Sequence, residues 1–142
     1  MNDSTHTSEL PLPTPAIRLG VVGHRDLGAV DQAALRESVS RLLDELRRAV
    51  DEALAALGEA MSPDPYAPKP ALFFLIDPLA EGADQLVAKV ATEGGYGYRL
   101  RAPIPFATED YKGYFTYEPE SSKASFDALV EDPGNDAILL EL

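Results

Sequence analysis

The chain has no cysteine, no tryptophan, only two histidines, and half as many basic residues as acidic ones. Without cysteine there are no disulfides, thiolate zinc sites, iron–sulfur clusters or cysteine nucleophiles. His6 and His24 are too few to anchor a metal cluster, so neither a metal nor a redox cofactor is expected. Twenty-four acids against 12 Lys and Arg give a formal net charge of -12. A nucleic-acid binder neutralises phosphates with surplus Lys and Arg, so nucleic acid is not the expected partner. Long apolar runs are missing too. The longest, Ala71 to Ile76, is six residues, where a membrane-spanning helix needs about 20. The first 16 residues hold no apolar centre of the kind a secretory signal needs, so the expected location is the cytoplasm.

What is present is 142 residues, 45% of them hydrophobic, enough for one domain with a buried core. Residues 1 to 16 end in Pro11-Leu12-Pro13-Thr14-Pro15. Prolines at alternate positions block helix and sheet pairing, so this segment reads as a flexible leader to a domain spanning 17 to 142. Ile17 to Val22 is short, β-branched and apolar and breaks at Gly23, which predicts a buried strand. From Asp31 to about Leu57, apolar residues such as Leu35, Val39, Leu42, Leu46, Val50 and Leu54 recur at three and four residues with charged residues between them. That spacing predicts an amphipathic helix with Asp31 as N-cap.

Gly58 and the proline-rich stretch Met61 to Pro70 predict a loop leading to a second strand, Ala71 to Ile76. Ala83, Leu86, Val87, Val90 and Ala91 have helical spacing, and Gly94-Gly95 ends that helix before a third strand at about Tyr98 to Ala102, which Pro103 and Pro105 close. Residues 107 to 131 carry helix-like patches, and Ala137 to Leu140 predicts a fourth strand. Strands that alternate with helices and read as continuous apolar runs imply an α/β fold: a Rossmann-like three-layer sandwich whose mostly parallel sheet of about four strands is covered on both faces. Such sheets usually have more strands, so further chain or a partner subunit is expected at the open edge.

In an open parallel sheet, ligands gather at the carboxyl ends of the strands, where loops and helix N-termini offer N–H groups. Three segments have that address. Gly23-His24-Arg25-Asp26 follows the first strand: Gly23 lets the backbone approach a ligand, Arg25 offers a forked donor for phosphate, and His24 can donate beside it. No third glycine opens the next helix and no Gly-Lys-Ser/Thr follows any strand, so neither a dinucleotide fingerprint nor a P-loop is present. Asp77-Pro78-Leu79-Ala80-Glu81-Gly82-Ala83-Asp84 follows the second strand, with Gly82 at the mouth of a helix able to meet an anion and Asp84 able to accept from ribose hydroxyls. The plainer reading makes Gly82 a turn residue and Asp84 a stabiliser of the helix start or a partner of Arg25. Pro103, Pro105, Phe106 and Tyr111, with Tyr114, Phe115 and Tyr117, follow the third strand as a candidate pocket wall, although such aromatics more commonly pack in a core.

A strand ending in Gly23-His24-Arg25, a long helix, a strand followed by Pro78-Leu79-Ala80-Glu81-Gly82-Ala83-Asp84, and a strand followed by Pro103-Ile104-Pro105-Phe106 together resemble the SLOG superfamily of Rossmann-like nucleotide-binding domains. That superfamily joins the LOG phosphoribohydrolases, the DNA-processing protein A (Smf) family and sensor domains of bacterial antiphage systems. The second segment is similar to the Gly-Leu-Ala-x-Gly-Ile-Asp signature of the DNA-processing family, and Gly-His-Arg stands where that family has Gly-Ser-Arg. The resemblance implies a ligand site at Gly23, His24, Arg25, Glu81, Gly82 and Asp84. It further implies that the domain binds a nucleotide or nucleotide-derived molecule as a sensor or regulatory module, self-associated or joined to an effector domain.

The LOG catalytic segment Pro-Gly-Gly-x-Gly-Thr-x-x-Glu is absent from this chain, so no catalytic residue is assigned. The alternative of a LOG-type nucleoside-monophosphate hydrolase would need that carboxylate from elsewhere. The alternative of a single-stranded DNA binder meets a segment, Glu118 to Leu142, with seven acids and one lysine. A third reading is a degenerate Rossmann half that only mediates association.

Overall fold

The computed structural model describes residues 10–140. Four strands, β1 (Ala16–Gly20), β2 (Leu72–Ile76), β3 (Tyr98–Ile104) and β4 (Asp136–Leu139), alternate with helices α1 (Gln32–Ala60), α2 (Ala83–Glu93), α3 (Thr108–Lys112) and α4 (Pro119–Glu131). The first nine residues of the expected leader lie outside the described residues. Its end is held down: Pro13 O accepts from Ala67 N at 3.0 Å and Pro15 O from Leu72 N at 2.9 Å.

Local chemistry fixes most boundaries. Asp31 caps α1, its side chain accepting from Ala34 N at 3.0 Å. The helix continues past Leu57 and Gly58 to Ala60, because one glycine costs only about 1 kcal/mol in a helix interior and no proline intervenes before Pro63. Pro119 starts α4 at a position whose N–H needs no intrahelical acceptor. Pro103 does not end β3, as the sequence had suggested. Beyond Arg101 the strand pairs only with β4, which makes it a local edge where proline is tolerated.

The sheet is all-parallel with order β1-β2-β3-β4. The architecture is α/β, a parallel sheet flanked by helices, consistent with a Rossmann-like three-layer sandwich. The order never reverses, so successive right-handed crossovers return to one face, and α1 packs on α2 and α2 on α4. The sheet residues in the common core share one parity: Ile17 and Leu19, Phe73 and Leu75, Tyr98, Leu100, Ala102 and Ile104. Against them pack Leu43 of α1, Leu86 and Val90 of α2, and an edge-to-face cluster of Tyr111, Phe115 and Phe126 with ring centroids 5.5–5.8 Å apart. The helices that pack on one another, α1, α2 and α4, share the face of this common core, and the other face carries Arg18, Phe74, Arg99 and Arg101. An order without reversal also lacks the switch-point crevice in which doubly wound sheets hold ligands. No helix among the described residues is long and apolar enough to cross a membrane.

Candidate functional site

The loops after β1 and β2 meet because two glycines let them. Gly82 precedes α2 with φ +90°, and a Cβ there would lie 2.3 Å from Arg25 O and 2.5 Å from His24 O. A Cβ on Gly23 would lie 2.4 Å from the Ala83 Cβ. The seam is closed by Ala83 N, which donates to His24 O at 2.9 Å. Only glycine permits backbones to approach this closely.

Glu81 locks the seam from beneath. Its carboxylate is 1% exposed and accepts from the Arg25 guanidinium at 2.5 Å, from Thr116 N at 2.8 and 2.9 Å, and from Tyr117 N at 3.1 Å. Burial alone would raise this acid, but the Thr116 and Tyr117 amides and the Arg25 charge outweigh it and hold the carboxyl below its ordinary value. The same guanidinium donates to the Tyr114 carbonyl and lies 5.9 Å from the Tyr117 ring. One buried acid thus joins three loops. Glu81→Gln keeps the shape but leaves Arg25 without a counter-charge, and is expected to lower stability by about 1–3 kcal/mol, read by urea unfolding at neutral pH. Because the Glu81 carboxyl is held low, its share of stability is present above its ordinary value and disappears as the pH falls below it.

Above the seam, the starts of α1, α2 and α4 enclose a cavity of about 260 Å³. Arg25, Arg36, Gly82, Gln85, Lys89 and Tyr117 line it. The N-caps of α2 and α4, Gly82 and Glu118, make no side-chain capping bond; in the first turn of α2, Ala83 N is taken by His24 O and Gln85 N by Ala80 O. Arg36 reaches Glu93 at 3.3 Å and Lys89 reaches Ser125 Oγ at 2.5 Å. Gln85 is 5% exposed, and its Nε2 donates to Leu79 O at 3.1 Å, which leaves Oε1 as an acceptor for whatever enters.

Behind α2, two acids are buried away from the cavity. Asp77 accepts from Leu79 N at 2.7 Å through Oδ1, while Asp77 Oδ2 and Asp84 Oδ1 have no hydrogen-bond partner. Burial pushes Asp77 up to about 8, partly opposed by the Leu79 amide and reinforced by the charge of Asp84. Burial likewise raises Asp84, offset in part by the amides of Gly23 and Ala80. Burial, followed by the charges of Asp84 and Asp77, lifts the Tyr111 phenol to about 12.

Of the residues singled out from the sequence, Arg25 and Gly82 line the cavity, while Gly23 lies in the seam against Ala83. His24 contributes its carbonyl to the seam while its side chain stays exposed, and Glu81 serves as a buried brace. Asp84 faces Gly23 rather than the cavity. Of the expected aromatic wall, Tyr117 lines the cavity, whereas Pro103, Pro105, Phe106 and Tyr111 do not. Pro103 lies in β3, Pro105 just after it, and Tyr111 is buried in the core. Phe106 stacks on Tyr114 at 5.8 Å beside a separate hollow lined by Glu109, Asp110 and Gly113. Tyr117 is the aromatic that reaches the cavity. Sequence reasoning missed Gln85 and Lys89, which sit three and seven residues after Gly82 on one helical face, a spacing that would have revealed them. Arg36 had no such signal, because only packing of α1 on α2 brings it there. No protein-family model, curated protein or solved structure matches this chain.

Proposed function

We propose that this domain binds a nucleotide or nucleotide-derived small molecule in the cavity above the Gly23–Gly82 seam and acts in the cytoplasm as a sensor or regulatory module. Occupancy would be passed to a second copy of the chain or to an effector domain. The observation that carries the reading is the convergence of the Arg25 and Gly82 turns on one cavity, which also receives Arg36, Lys89 and the starts of α2 and α4. Three cations, Arg25, Arg36 and Lys89, outnumber the two acids of the lining, Asp26 and Glu118, which favours a phosphate, and the Tyr117 ring offers a face to a base. At about 260 Å³ the cavity lies just below the range of roughly 300–1,000 Å³ typical of ligand pockets, which suits a mononucleotide better than a dinucleotide.

Thermal denaturation with a panel of mononucleotides, cyclic nucleotides and ADP-ribose tests this. A ligand at one hundred times its Kd stabilises the fold by about 2.7 kcal/mol, which appears as a clear rise in Tm. Lys89→Ala and Arg25→Ala are each expected to reduce or abolish the rise. If no member of the panel moves the Tm of the wild-type chain, the reading fails and association alone remains as the role of the fold.

A further inference from the structure

The sheet face opposite the common core has its own set of side chains. Because registered residues of parallel neighbours point the same way, this face holds Ala16, Arg18 and Gly20 of β1, Leu72, Phe74 and Ile76 of β2, Arg99, Arg101 and Pro103 of β3, and Asp136 and Ile138 of β4. It is open: a Cβ on Gly20 would meet nothing within 4 Å, Ile138 is 48% exposed, and Phe74 is buried without belonging to the helix-side core. What covers the Phe74 ring is charge. The Arg101 guanidinium lies 4.3 Å from the ring centroid and that of Arg18 lies 5.9 Å from it. Arg18 and Arg99 have no acidic partner among the described residues, Arg101 Nε has no hydrogen-bond partner, and the one nearby acid, Asp136, is 3.6 Å from it.

We infer that this face docks an amphipathic helix whose apolar stripe is flanked by acidic residues. Parallel sheets are covered by helices on both faces, because a strand paired on two sides and apolar on two sides otherwise leaves one apolar surface in water. Half-buried Leu72 and Ile76 of β2 and exposed Ile138 of β4 are the apolar side chains that such a stripe would cover, Phe74 between Leu72 and Ile76 being capped by arginine. The charge decides the flanks: three arginines and one aspartate make this face cationic on a chain of net charge -12. A second copy applied face to face would set arginine against arginine, so like-to-like pairing across this surface is disfavoured. Nucleic acid is disfavoured as well. The Phe74 ring is already occupied by guanidinium and gives no platform for a base, and the rest of the chain is acidic.

The probes are two synthetic helical peptides with the same leucine stripe, one flanked by Glu and one by Lys, titrated into the full chain by fluorescence polarisation and methyl NMR. The Glu peptide is expected to bind about tenfold or more tightly than the Lys peptide, with shifts at Leu72, Ile76 and Ile138, and to weaken as salt rises. The exposed double substitution Arg18→Glu with Arg99→Glu is expected to reverse the preference. Should that variant unfold, the salt series on the wild-type chain carries the same information. Equal binding of both peptides, no binding of either, shifts confined to the cavity beside α2, or self-association that protects these methyls without peptide would each overturn the inference. Oligo-dT binding at this face would overturn it too.

Discussion

Gly82→Ala is expected to destabilise the chain by about 3 kcal/mol or more and to abolish ligand binding at the cavity. Two costs combine. A residue with a Cβ at φ +90° and ψ -124° occupies backbone space in which glycine is the natural occupant, and such strain costs about 1–3 kcal/mol. The Cβ also has no room, since Arg25 O and His24 O would lie 2.3 and 2.5 Å away and both are backbone atoms unable to swing aside. Relief requires the β1 loop to move off α2, which breaks the Ala83 N to His24 O bond and draws Arg25 away from Glu81. For a chain of this length each kcal/mol lowers Tm by about 3 °C, so calorimetry would read a fall of roughly 9 °C or more. Gly23→Ala would meet the Ala83 Cβ, which is fixed to the α2 backbone, at 2.4 Å, but Gly23 has no positive φ, so without that strain its effect is expected to be smaller. Equal Tm for Gly82→Ala and the wild type would mean that the seam does not hold the two loops.

The stability of the chain is expected to fall as pH rises from about 5 to about 8, and Asp77→Asn is expected to flatten that slope. Asp77 is fully buried, and its carboxyl is lifted from an ordinary value of 3.8 to about 8. Folding therefore favours the protonated acid. The stabilisation is fully present below the ordinary value and is lost as pH climbs towards the folded one, by at most about 1.4 kcal/mol per pH unit for a single proton. The raised carboxyl of Asp84 acts in the same direction. Glu81 acts in the opposite direction and in a lower window, so the two effects separate along the pH axis. Asp77→Asn keeps an acceptor for Leu79 N and removes the charge. At neutral pH it is expected to stabilise the chain by an amount that shrinks as the pH is lowered. Urea midpoints measured across this range would decide the matter, and a flat wild-type profile would show that Asp77 is ionised within the fold at little cost.

Much of the frame was legible because its signals are local. Ala71 to Ile76 is apolar throughout and β2 occupies it, and the three-and-four spacing after Asp31 produces α1. The turns around Arg25 and Gly82 were recognisable as strand-end loops. Their meeting at one site was an expectation carried by the resemblance; how they meet was not legible, since it depends on a Cβ-free approach between residues more than fifty positions apart. The role of Glu81 was hidden for a related reason: its partners are backbone amides of Thr116 and Tyr117, which carry no side-chain signature. The aromatics after β3 misled because Tyr111 and Phe115 have the composition of a pocket wall and the environment of a core.

By itself the sequence determined the order of strands and helices, the exclusion of thiol chemistry, the acidic balance and the two glycine-bearing turns, because each follows from residue type and spacing along the chain. Only the tertiary structure decided that the strands lie in the order β1-β2-β3-β4, that Arg36 and Lys89 join Arg25 at one cavity, and that three arginines share the bare face of the sheet. The reason is physical. Helical and extended periodicities are set by neighbours in sequence, whereas strand order and the burial of a charge are set by which distant surfaces exclude water together.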